Sequence, residues 1–83
     1  MSDKKRKQNE KEYLNWSVTQ TGGRIYWKEI ESSDKSGKKA RYEKEVDISE
    51  QTILFVQKIF DRNGNMIEIH EKFPIDKGHF ILS

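Results

Sequence analysis

From residue 13 onward, apolar and polar side chains alternate in short runs separated by turn residues, the period-two signature of β-strands. In EYLNWSVTQ, Leu14, Trp16 and Val18 share one phase, while Tyr13, Asn15, Ser17 and Thr19 share the other. After the turn residues TGG comes RIYWKEIE, which sets Ile25, Trp27 and Glu29 opposite Tyr26, Lys28 and Ile30. The polar stretch SSDKSGKK leads into ARYEKEVDI, where Tyr42, Lys44, Val46 and Ile48 share a phase. Aromatic and β-branched runs in this order predict a mainly β fold. The expected architecture is an antiparallel meander of five to six strands, flat or curled into a small open barrel. Its expected core is Leu14, Trp16, Ile25, Trp27, Val46, Ile53, Phe55, Ile59, Ile67, Ile69 and Phe73.

Two turns look alike: DKSGK (Asp34 to Lys38) and DRNGN (Asp61 to Asn65). Asp first and Gly fourth suit a type I turn closed by a left-handed glycine. Pairing Asp61 with Asn65 sets Phe60 opposite Met66, Lys58 opposite Glu68 and Val56 opposite His70. The other face then pairs Ile59 with Ile67, Gln57 with Ile69 and Ile53 with Phe73. That register gives an opposite-charge pair and one apolar face. It is preferred to a two-residue Asn63-Gly64 turn, which would set Lys58 against Ile69.

Residues 48–60 also fit a helix, with Asp47 and Glu50 at capping-box spacing. Their β-branched heart, TILFV, favours a strand. In the tail, Pro74 withholds a backbone donor and ends the strand at 66–73; Asp76, Lys77 and Gly78 turn the chain, and HFIL adds a last short strand.

Residues 1–12, MSDKKRKQNEKE, contain no apolar periodicity and read as a disordered basic tail ahead of a single domain, 13–83. The tail carries five basic residues (Lys4, Lys5, Arg6, Lys7 and Lys11) against three acidic ones, and the remainder of the chain is neutral overall. Hydrophobic residues make up 33% of the 83 residues, a thin supply for a core. The chain has no cysteine, which removes disulfides, thiolate chemistry and Cys-based zinc sites. No signal peptide or membrane-length apolar run is present, so a soluble cytoplasmic protein is expected.

Little in the sequence points to catalysis. His70 and His79 could join Glu68, Glu71 or Asp76 in a metal site, or serve as the acid and base of a small ribonuclease with Lys72 or Lys77 on the phosphate. Their spacing matches no such site, and solvated surface histidines are the simpler reading, so no catalytic residue, metal or cofactor is assigned. Gly22-Gly23 and Ser36 to Lys38 lack the further glycines and following helix of a phosphate loop.

Aromatic residues interleaved with basic ones offer more. Tyr26 and Tyr42 are the expected exposed rings, with Arg41, Lys44 and His70 near them and Lys4, Lys5, Arg6 and Lys7 in the tail. The expected function is a non-enzymatic, protein-binding module acting through a sheet face or edge, with self-association into a homodimer as one form of that binding. The alternative is nucleic-acid binding by the basic tail and exposed aromatics, weakened by Glu29, Glu31, Glu43 and Glu45 on the same strands. The closing KFPIDKGHF resembles the C-terminal end of TumE-like bacterial toxin components. That likeness covers under a fifth of the chain, without their histidine spacing, and assigns no residue a role.

Overall fold

The computed structural model describes residues 2–32, 36–76 and 78–82. Asp34 of the first turn and Lys77 lie outside them, as do the side chains of His79 and Phe80. A helix, α1 (Ser2–Glu12), precedes strands β1 (Asn15–Val18), β2 (Arg24–Glu31), β3 (Lys39–Val46), β4 (Thr52–Phe60), β5 (Met66–Phe73) and β6 (His79–Ile81). The strands form one antiparallel sheet in chain order, with β1 and β6 at its two edges. The meander is therefore an open sheet, not a closed barrel, and the segment that also fitted a helix runs as β4.

The turn at Asp61 has the expected chemistry. Asp61 Oδ1 accepts from the Asn63 and Asn65 amides, both at 2.9 Å, and Gly64 takes φ +86°, where an L side chain would be strained. Phe60 pairs with Met66 as expected, but a bulge at Ile59/Phe60 then slips the register by one. Lys58 thus faces Ile69, Ile59 faces Glu68 and Gln57 faces His70. A bulge adds one residue on one strand and exchanges the faces beyond it, which a turn motif alone does not reveal.

The two sheet faces follow from the pairing. Trp16, Tyr26 and Lys44 are register partners, so one face carries Trp16, Val18, Arg24, Tyr26, Lys28, Tyr42, Lys44, Val46, Phe55, Gln57 and His70. The reverse face carries Ile25, Trp27, Arg41, Glu43, Val56, Lys58, Ile69 and Glu71.

Helix α1 lies over the first face, which corrects two expectations at once. Residues 2–12 form a helix rather than a disordered tail, although none of them is apolar; polar side chains do the anchoring. The buried cluster is consequently Tyr13, Tyr26 and Val46, with Tyr42 packed beside it. Tyr26, expected at the surface, is 0% exposed, whereas Leu14, expected in the core, is 88% exposed. Trp16, Ile53 and Phe73 are also exposed. The alternation identified the strands correctly, but the helix decides which face of β2 is covered, and the edge strand β1 is exposed on both faces.

Candidate binding surfaces

Glu50 is the residue through which α1 is fixed. It sits in the turn Asp47–Gln51 at φ +64°, the only non-glycine residue with a positive φ among those described, and its side chain is buried. Its Oε2 accepts from Tyr26 Oη at 2.8 Å and from Asn9 Nδ2 at 3.2 Å, and Arg6 Nε reaches Oε1 at 3.1 Å. Desolvation pushes this carboxyl group upward, but the Tyr26, Asn9 and Arg6 contacts outweigh it and hold Glu50 below its ordinary value. Arg24 extends the network: Nη1 donates to Glu10 at 2.8 Å and to Tyr26 Oη at 3.2 Å, while the guanidinium carbon lies 3.7 Å from the Trp16 ring centroid. Burial first, and the Glu50 contact second, push the Tyr26 hydroxyl upward, so it remains a donor at neutral pH.

Beside this anchor, a groove opens between α1 and strands β3–β5. One part, about 450 Å³, is lined by Lys5, Asn9, Lys44, Glu50 and Phe73; an adjoining part of about 390 Å³ adds Tyr13 and Phe55. Tyr42 and Phe55 stack with centroids 6.3 Å apart, and Phe73 is the register partner of Phe55. Lys72 Nζ lies 5.6 Å from the Tyr42 centroid and 6.0 Å from that of Phe55. Lys44 Nζ donates to the neutral Asn9 Oδ1 at 2.9 Å.

The sheet also separates charge by face. Arg24, Lys28, Lys44 and Lys72 lie on the helix side, where Glu68 is the one carboxylate among the described strand residues. Glu29, Glu31, Glu43, Glu45 and Glu71 all lie on the reverse face with Lys39, Arg41 and Lys58. The four glutamates that counted against a polyanion site in the sequence are therefore on the far side of the sheet.

A second surface is the β1 edge. All four residues of β1 are exposed, and Leu14, Trp16 and Val18 form an apolar line along it. Ile48, 68% exposed, lies beside the Gly22 turn that joins β1 to β2. Among large apolar side chains, these are ones that the fold leaves without cover.

Of the site residues expected from sequence, Lys5, Arg6, Tyr42 and Lys44 converge on the groove and its anchor. Lys4 and Lys7 lie exposed on α1, and Tyr26 is buried beneath it. Arg41 is on the reverse face, its guanidinium carbon 5.1 Å from the Trp27 centroid and its Nε 2.7 Å from Glu43. His70 contacts Asp76 at 2.5 Å and is the register partner of His79, so the two histidines do come opposite one another. The His70 hydrogen bond, first, holds Asp76 below its ordinary value. No group of three metal-ligating side chains occurs among the described residues.

Asn9 and Glu50 were not expected as anchors, and Leu14, Trp16, Phe55 and Phe73 were expected in the core. Only Glu50 left a signal: it occupies the fourth position of a turn beginning with Asp, where the similar turns have glycine. No protein-family model, curated protein or solved structure matches the chain.

Proposed function

We propose that this chain is a non-enzymatic binding module that accepts an extended segment of a partner protein at the β1 edge. The observation that carries this reading is the pair Trp16 and Val18 on a four-residue edge strand exposed throughout, with the exposed Leu14 just ahead of it. An edge strand offers unpaired backbone donors and acceptors, and side-chain contacts next to them select the added strand. Natural edges are commonly guarded by charges or proline; β1 has neither, since its sequence is NWSV. The Trp16 ring, held against Arg24, offers a rigid anchor at that edge.

Affinity capture from host lysate tests the reading when the intact chain is compared with a Leu14→Lys/Val18→Lys variant. Both positions are solvent-exposed, so the variant keeps its fold, and it should lose the partners that the intact chain retains. Equal capture by both proteins would sink the edge-binding reading. Sedimentation across a wide concentration range identifies whether the added strand is a second copy of this chain.

A further inference from the structure

The groove between α1 and strands β3–β5 combines features that the rest of the surface keeps apart. Its floor is aromatic, with Phe55 and Phe73 on neighbouring strands and Tyr42 stacked on Phe55 beside them. Lysines surround that floor: Lys44 and Lys72 on the sheet and Lys5 on the helix. Two carboxylates line the groove, and each has a cation: Glu50 pairs with Arg6 at 3.1 Å and Glu12 with Lys28 at 3.9 Å. Outside it, Lys4, Lys7 and Lys11 recur at helical spacing and are all exposed.

We propose that this groove binds single-stranded nucleic acid, with bases stacked on Phe73 and Phe55 and phosphates directed to Lys5, Lys44 and Lys72. Phe73, 43% exposed, offers its ring to unstacked bases of any sequence, Phe55 adds a half-buried ring beside it, and surrounding lysines neutralise the backbone. A duplex keeps its bases stacked on each other and presents no ring to the groove. An acidic peptide would satisfy the lysines but leave the aromatic floor unused. The site is separate from the β1 edge, so the two proposals stand or fall independently.

Fluorescence anisotropy on the full chain decides the matter, using labelled DNA and RNA oligonucleotides of about ten nucleotides. The competitors are the same sequences as duplex, inorganic polyphosphate and poly-glutamate. The expected result is that the single strands bind more tightly than all three competitors. Phe73→Ala, at an exposed position, should weaken single-strand binding about tenfold. Lys44→Ala and Lys72→Ala should each lower the slope of log affinity against log salt by about 0.7. A Lys4→Ala/Lys7→Ala/Lys11→Ala variant should bind less tightly yet keep the preference for single strands. Equal binding of duplex or polyphosphate would assign the affinity to lysine charge alone and overturn the proposal. Preference for poly-glutamate, or no binding at low salt, would overturn it as well. Circular dichroism of every variant separates lost binding from lost folding, and the Leu14→Lys/Val18→Lys variant should bind the oligonucleotides normally.

Discussion

Glu50 occupies in the turn Asp47–Gln51 the place that Gly64 occupies in the turn Asp61–Asn65. In each turn the leading Asp amide donates to the fifth residue's carbonyl, at 2.9 and 2.8 Å, and the fourth amide donates back to the Asp carbonyl, at 2.9 and 3.0 Å. The Asp side chain accepts from the third and fifth amides in both. Gly64 adopts its left-handed conformation without strain, whereas Glu50 does so at about 1–2 kcal/mol. What offsets that cost is the buried carboxylate, which joins Tyr26 of β2 to Asn9 and Arg6 of the helix.

Replacing Glu50 with glycine should therefore relax the turn and still destabilise the protein. Tyr26 Oη and Asn9 Nδ2 would lose their acceptor, a loss of about 1–3 kcal/mol each that exceeds the relief of strain. We expect a net loss of about 1–3 kcal/mol, with α1 released first. Limited trypsin digestion should cut the variant at the α1 lysines before the sheet unfolds. A variant as stable and as resistant as the wild type would refute the role given to Glu50.

The same carboxylate predicts an acid response. Its folded value lies below the ordinary 4.5, so it adds stability above that pH and loses the contribution as pH falls through the folded value. Wild type should accordingly be more stable than Glu50→Gln at neutral pH, and the two should converge in acid. Urea midpoints for both proteins across the acid range check this; a gap that stays constant with pH would contradict it.

At the alkaline end, Tyr13 governs. Burial first, and Glu12 second, push its hydroxyl from 10.0 up to about 12. A raised folded value means that stability is fully present below pH 10.0 and declines as pH climbs towards about 12. Tyr13→Phe should flatten part of that decline, measured as the change in denaturation midpoint with pH. An unaltered decline would remove Tyr13 from the account.

Two glycines should respond differently to alanine. A Cβ at Gly23 would sit 2.0 Å from the Val46 carbonyl oxygen, where β2 and β3 meet, whereas one at Gly64 would meet nothing within 4 Å. Gly64→Ala should cost about 1–2 kcal/mol, from backbone conformation alone. Gly23→Ala must move a strand and should cost more, about 3 kcal/mol. Thermal melts of the two variants test the order.

The strands were legible because alternation and turn chemistry are local. Thr52–Phe60 reads as strand from its β-branched heart, and Asp61–Asn65 reads as a turn from Asp and Gly alone. The helix was not legible, because nothing in SDKKRKQNEKE is apolar and its partners, Glu50, Arg24 and Lys44, are 14 to 44 residues away. Without the helix, the covered face of β2 was misassigned, so Tyr26 was expected outside; Trp16, on the same face but in the edge strand, stays exposed. The bulge at Ile59/Phe60 hid the pairing of Gln57 with His70 for a related reason: one extra residue exchanges faces without altering the composition. Lys5 and Lys44 were legible as site candidates from residue type, but their meeting in one groove depends on that docking.

The central claim, that β1 is a strand-accepting edge, is tested most directly by amide hydrogen exchange of residues 15–18 with and without a captured partner. These amides should become protected on binding, and Leu14→Lys/Val18→Lys should abolish the protection. Unchanged exchange along β1 in a complex that forms normally would contradict it.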